Sequence, residues 1–87
     1  MKVFKYTITD DVGIHARPAG LLVKEAGNFK SVIKVTNEKN QKSSEANKLF
    51  GIMGLGVKCG DTVEVSISGE DEETAFQQMK KFFEDNL

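Results

Sequence analysis

The segment Gly13-Ile14-His15-Ala16-Arg17-Pro18 gathers residue types that handle phosphate. His15 is the only histidine of the chain, and an imidazole is a nucleophile wherever its reacting nitrogen is unprotonated. Arg17 offers a planar fork of donors that matches phosphate oxygens. Pro18 suits the first turn of a helix, where its missing N–H costs nothing. The segment therefore reads as a loop entering a helix, and a helix start presents unpaired N–H groups and the positive end of the dipole. An imidazole, a guanidinium and open helix amides make a site for a phosphoryl group on nitrogen. The cation and the amides would stabilise the phosphorylated state and the charge spread over three oxygens during transfer. Taken singly these residues say less. A histidine near a helix start is more often a surface or capping residue, an arginine is usually a solvated charge, and a proline there is a helix-start residue.

The elements that must position this segment follow from periodicity. Lys2–Thr9 alternates, with Phe4, Tyr6 and Ile8 on one face, and predicts a half-buried strand. Arg17–Ala26 predicts a helix with Ala19, Leu22, Val23 and Ala26 as its apolar stripe, ended by Gly27 in a left-handed conformation. Ser31–Thr36 predicts a strand with Ile33 and Val35 on one face, and Gln41–Glu45 a short polar strand. Asn47 is placed to cap a short helix through Met53 whose apolar side is Leu49, Phe50 and Met53, with Gly51, Gly54 and Gly56 limiting its length. Thr62–Ser68 alternates most clearly, with Val63, Val65 and Ile67 on one face. The last helix starts at Asp71 as a cap, with Glu72 and Glu73 at its positive end and Ala75, Phe76, Met79, Phe82 and Phe83 as its buried stripe. One-sided strands in the order β-α-β-β-α-β-α predict an α+β fold, an antiparallel sheet with helices on a single face.

Composition bounds the function. The 87 residues, 39% hydrophobic and 29% charged with net charge −1, make one domain over 1–87. That balance excludes a strongly basic nucleic-acid binder, and the strand faces offer no paired aromatics for stacking bases. Residues 1–48 nevertheless hold nine Lys and Arg against five Asp and Glu, net +4, whereas residues 49–87 hold three against eight, net −5. Either the acidic start of the last helix causes the asymmetry, or a basic face meets acidic partners and raises their association rate. One cysteine, Cys59, excludes an internal disulfide, and with one histidine no metal site is expected. No apolar stretch reaches membrane-spanning length and the start lacks a signal peptide's apolar core, so a reducing cytoplasm is expected.

Gly13-Ile14-His15-Ala16-Arg17-Pro18-Ala19 resembles the active-site signature of the HPr family, the histidine-containing phosphocarriers of the bacterial sugar phosphotransferase system. The resemblance runs along the whole chain through Leu22-Val23-Lys24-Glu25-Ala26, Gly51-Ile52-Met53-Gly54-Leu55-Gly56 and Gly69-Glu70-Asp71-Glu72. It implies an open-faced β-sandwich, a four-stranded antiparallel sheet covered on one side by three helices. It implies a carrier rather than an enzyme, working as a monomer without a cofactor. His15 would take a phosphoryl group on Nδ1 from phosphorylated enzyme I and pass it to the histidine of a sugar-specific IIA component. Arg17 would contact the phosphoryl group, and the helix-start amides after His15, in the stretch that holds Ala16 and Pro18, would assist. The short helix would flank the histidine and dock partners, with Leu49 and Met53 exposed, unless both are simply core. Gly20 and Lys24 would share the face of Arg17.

The chain departs from the family pattern at four places. Lys48 stands where many members carry a regulatory serine, so control by phosphorylation there is not expected. Ser43 and Ser44 lie nearby as ordinary polar strand or turn residues. Val12 replaces a small polar residue before Gly13. The loop before the short helix is about two residues longer, and Glu45-Ala46-Asn47 resembles the nitrogen-related branch of the family. That keeps open a regulatory paralogue, phosphorylated on His15 but signalling to non-sugar targets.

Overall fold

The computed structural model describes Met1–Leu87. Its elements are β1 (Lys2–Thr7), α1 (Ala16–Ala26), β2 (Val32–Asn37), β3 (Lys42–Glu45), α2 (Leu49–Met53), β4 (Thr62–Ser68) and α3 (Glu72–Asn86). The strands form one sheet in the order β1-β4-β2-β3, every neighbouring pair antiparallel. β4 thus slots between β1 and β2, and Phe4, Val65 and Val35 lie side by side in register across β1, β4 and β2. Those residues, with Ile33, Val63 and Ile67, carry the buried face, and Leu22 of α1, Ile52 of α2 and Met79 and Phe83 of α3 pack onto it. Burial of this apolar surface drives the assembly. The opposite face keeps Val3, Lys5, Val32 and Lys34 exposed, as an antiparallel sheet with one solvated side permits. No helix is long and apolar enough to cross a membrane.

Several local expectations change under tertiary contacts. β1 stops at Thr7 because the next residues leave the sheet ladder: Ile8 exchanges hydrogen bonds with the β4-side loop, its N–H donating to the Asp61 carbonyl at 2.9 Å and its carbonyl accepting from Gly60 at 2.8 Å. Gly27 ends α1 in a right-handed conformation (φ −65), not a left-handed one. Lys48, not Asn47, holds the cap position of α2, and no side chain caps that helix. Asp71 does stand at the start of α3, but its carboxylate does not cap it. The carboxylate instead accepts from the Lys30 N–H at 2.8 Å, the Ser31 N–H at 2.9 Å and the Ser31 hydroxyl, tying α3 to the start of β2. Gly69 permits that approach, since a Cβ there would lie 2.6 Å from Ser31 Cα. In α3 only Ala75, Met79 and Phe83 of the expected stripe are fully buried; Phe76 and Phe82 lie at its edges. Phe83 stands edge-on to Phe4 at 5.7 Å and Tyr6 at 5.8 Å, which seats α3 on β1.

Candidate functional site

The loop between β1 and α1 is fastened at three points before it reaches His15. The N–H groups of Thr9 and Asp10 both donate to the Leu87 carbonyl, at 2.6 and 2.9 Å, which moors the loop to the end of α3. Gly13 turns with φ +84, and a Cβ there would lie 2.4 Å from the Val57 carbonyl oxygen, so only glycine fits. Ile14 then buries its side chain and donates its N–H to the Val57 carbonyl at 3.0 Å. With its neighbour anchored inward, His15 emerges at the cap position of α1, its side chain 42% exposed. Its own side chain caps nothing, and its carbonyl accepts from the Ala19 N–H at 2.9 Å.

Beside the ring lies an open depression of about 270 Å³ lined by Asp10, His15, Arg17, Pro18, Leu21 and Asn86. Arg17 is exposed and has no carboxylate partner, so its guanidinium is available to an anion. Ala16 and Arg17 are the first helical residues, and neither N–H donates to a backbone carbonyl outside the helix. Those amides and the dipole of the 11-residue α1 make this end electropositive. The only carboxylate in the lining is Asp10, with Oδ1 4.0 Å from His15 Nε2.

The structure brings His15, Ala16, Arg17 and Pro18 together at this mouth, with Pro18 itself buried. Gly20 and Lys24 are exposed on α1 outside the lining. On α2, which packs against α1, Leu49 and Met53 are 36% and 38% exposed. The residue that faces the core is Ile52, and Phe50, expected on the apolar side, is 84% exposed. Leu21, at 42% exposed, lines the depression. Sequence reasoning missed Asp10, Leu21 and Asn86 as lining residues. Asp10 has only the residue type of a turn, Leu21 falls off the helix stripe, and no local signal ties Asn86 to His15.

Known proteins resemble this chain in sequence and in fold. The family described as PTS HPr component phosphorylation site matches residues 2–85. The phosphocarrier protein HPr of Lysinibacillus sphaericus is 40% identical over 79 residues, 91% of this chain and 88% of that protein. The solved structure of HPr-C-His from Thermoanaerobacter tengcongensis superposes with a TM-score of 0.89 at 41% identity, covering 99% of this chain and 94% of that one. An HPr dimer from the same organism superposes with a TM-score of 0.73 at 41% identity, over 98% of this chain and 95% of that one.

Proposed function

The chain belongs to the HPr family of phosphotransferase-system components, and from that premise we propose that His15 receives a phosphoryl group from phosphorylated enzyme I and hands it to IIA components in sugar uptake. The observation that carries this reading is the half-exposed imidazole of His15 at the open amides of α1, beside an unpaired Arg17 and a depression with room for a phosphoryl group. The protein is a phosphocarrier, not an enzyme. Its cargo sits on its own side chain, and it must show that side chain to two partners in turn. A shallow, exposed site serves that requirement, and complexes of this transient type have small interfaces.

Roles divide along the surface. His15 Nδ1 attacks phosphorus; Arg17 and the amides at Ala16 and Arg17 hold the phosphoryl oxygens; Pro18 pre-sets the first turn of α1. Leu49, Phe50 and Met53 dock the partner, with Gly20 allowing close approach because a Cβ there would meet nothing. Lys24 and Lys48, both exposed, flank the patch with positive charge that steers acidic partners. Lys48 occupies the family's regulatory position, so no phosphorylation is expected there. The whole chain, 1–87, acts as one domain in the cytoplasm. The proposed working unit is a monomer, with Asp10, His15, Arg17 and Asn86 lining the site.

The test is intact mass after incubation with phosphoenolpyruvate and enzyme I. One acid-labile phosphoryl addition is expected, absent in His15→Ala and passed on when a IIA component is added. No addition to the wild-type chain refutes the proposal. An addition that no IIA component accepts refutes the sugar-uptake assignment.

A further inference from the structure

The loop that presents His15 also holds a carboxylate against it. Asp10 Oδ1 lies 4.0 Å from His15 Nε2. It is held in place from three sides. Oδ1 accepts the Val12 N–H at 2.9 Å. The Asp10 N–H donates to the Leu87 carbonyl at 2.9 Å, and its carbonyl accepts from Gly13 at 3.1 Å. The other groups around the depression are Arg17 and the first-turn amides from α1 and the neutral amide of Asn86 from α3. Lys58 and Asp61 belong to the α2–β4 loop packed beneath Gly13. Asp10 is therefore the one negative side chain lining the site, and it stands on the Nε2 side of the ring.

We propose that Asp10 is a positioning residue that assigns the two ring nitrogens of His15 their separate tasks; this rests on the phosphocarrier reading above. A neutral imidazole carries one N–H and one lone pair, and an ionised carboxylate only accepts. Facing Nε2, Asp10 favours the tautomer with the proton on Nε2, which leaves the lone pair on Nδ1. The same charge repels phosphoryl oxygens from Nε2 and leaves Nδ1 as the point of attack. In the transfer the Nδ1 lone pair forms a bond to phosphorus. The bond from phosphorus to the donor atom breaks, and the donor atom keeps that electron pair. Nε2 retains its proton, so the ring becomes cationic, and Asp10 offsets the new charge at Nε2. Onward transfer breaks the P–Nδ1 bond and returns its electron pair to Nδ1, restoring the neutral ring. No proton has to move in either direction.

The test uses nitrogen-15 NMR of the unphosphorylated chain at a pH where the imidazole is neutral, reading the tautomer ratio from the two ring-nitrogen shifts. Asp10→Asn keeps an oxygen for the Val12 N–H and removes the charge; Asp10→Ala removes both. In each variant the ratio of Nε2–H to Nδ1–H form should fall about threefold, the scale of one partly exposed charged contact. An unchanged ratio in both overturns the proposal. A change in Asp10→Ala alone also overturns it, since Asp10 would then only brace the loop. The measurement needs no phosphoryl donor, so its outcome is separate from that of the phosphorylation test.

Discussion

Phe50→Ala separates docking from folding. The ring is 84% exposed on α2, whose hold on the core comes from the fully buried Ile52. A phenylalanine side chain can bury about 150–250 Å², so about 170 Å² of this ring is open to a partner. Covering all of it would contribute about 4 kcal/mol at about 25 cal/mol per Å². Alanine retains its methyl group and a transient partner covers only part of the ring, so about half of that, ~2 kcal/mol, is the expected loss. That corresponds to about a 30-fold weaker association with enzyme I. The assay is the rate of phosphoryl transfer from enzyme I at increasing carrier concentration, beside a thermal melt of the free protein. KM should rise about 30-fold with little change in kcat, because His15 and Arg17 are untouched, and the melting temperature should hold, because an exposed ring adds little to the native state. An unchanged KM would refute the placing of the docking patch on α2. A large fall in melting temperature would refute the claim that Phe50 is free of the core.

Four further substitutions follow from the packing and the hydrogen bonds. Gly13→Ala forces a Cβ to within 2.4 Å of the Val57 carbonyl oxygen at φ +84, so it should lower the melting temperature and shift the NMR signals of His15; an unmoved imidazole spectrum would show that Gly13 does not set the loop. Met79→Ala, at a fully buried position, should cost about 2–5 kcal/mol and lower the melting temperature by about 10 °C or more, while Phe76→Ala, at the edge of the stripe, should cost less; the reverse order in a denaturant titration would refute this division. The Ser31 hydroxyl, then the Lys30 and Ser31 N–H groups, hold the Asp71 carboxyl below the usual aspartate range. Its stabilisation is therefore complete above about pH 5 and drains away as pH falls through the lower folded value. Asp71→Asn should flatten the acid limb of a melting-temperature profile, and an unaltered limb would remove Asp71 from acid stability.

How much of this was legible beforehand depends on how far apart the interacting residues lie in the chain. Alternation placed Val63, Val65 and Ile67 on one face of β4, and that is the face the helices cover. The run from Gly13 to Pro18 likewise announced a loop entering a helix with an imidazole at its mouth, because six consecutive residues contain that whole geometry. α2 was harder. Five residues make less than one and a half turns, too few for periodicity to choose among Leu49, Phe50, Ile52 and Met53, and the core admitted Ile52. Asp71 had the residue type of a helix cap, but Ser31 and the Lys30 backbone competed for its carboxylate from 40 and 41 positions away.

Asp10 and Asn86 reached the site only through folding. α3 ends where the loop after β1 begins, joined by the bond from the Thr9 hydroxyl to the Leu87 carbonyl across 78 positions. Residue order alone thus determined the strand and helix periods and the chemistry of the His15 segment, since neighbours in the chain are neighbours in space. Tertiary structure decided which carboxylate faces the imidazole and which aromatic side chain meets solvent. Both depend on how the helices seat on the sheet, and the shared core sets that seating.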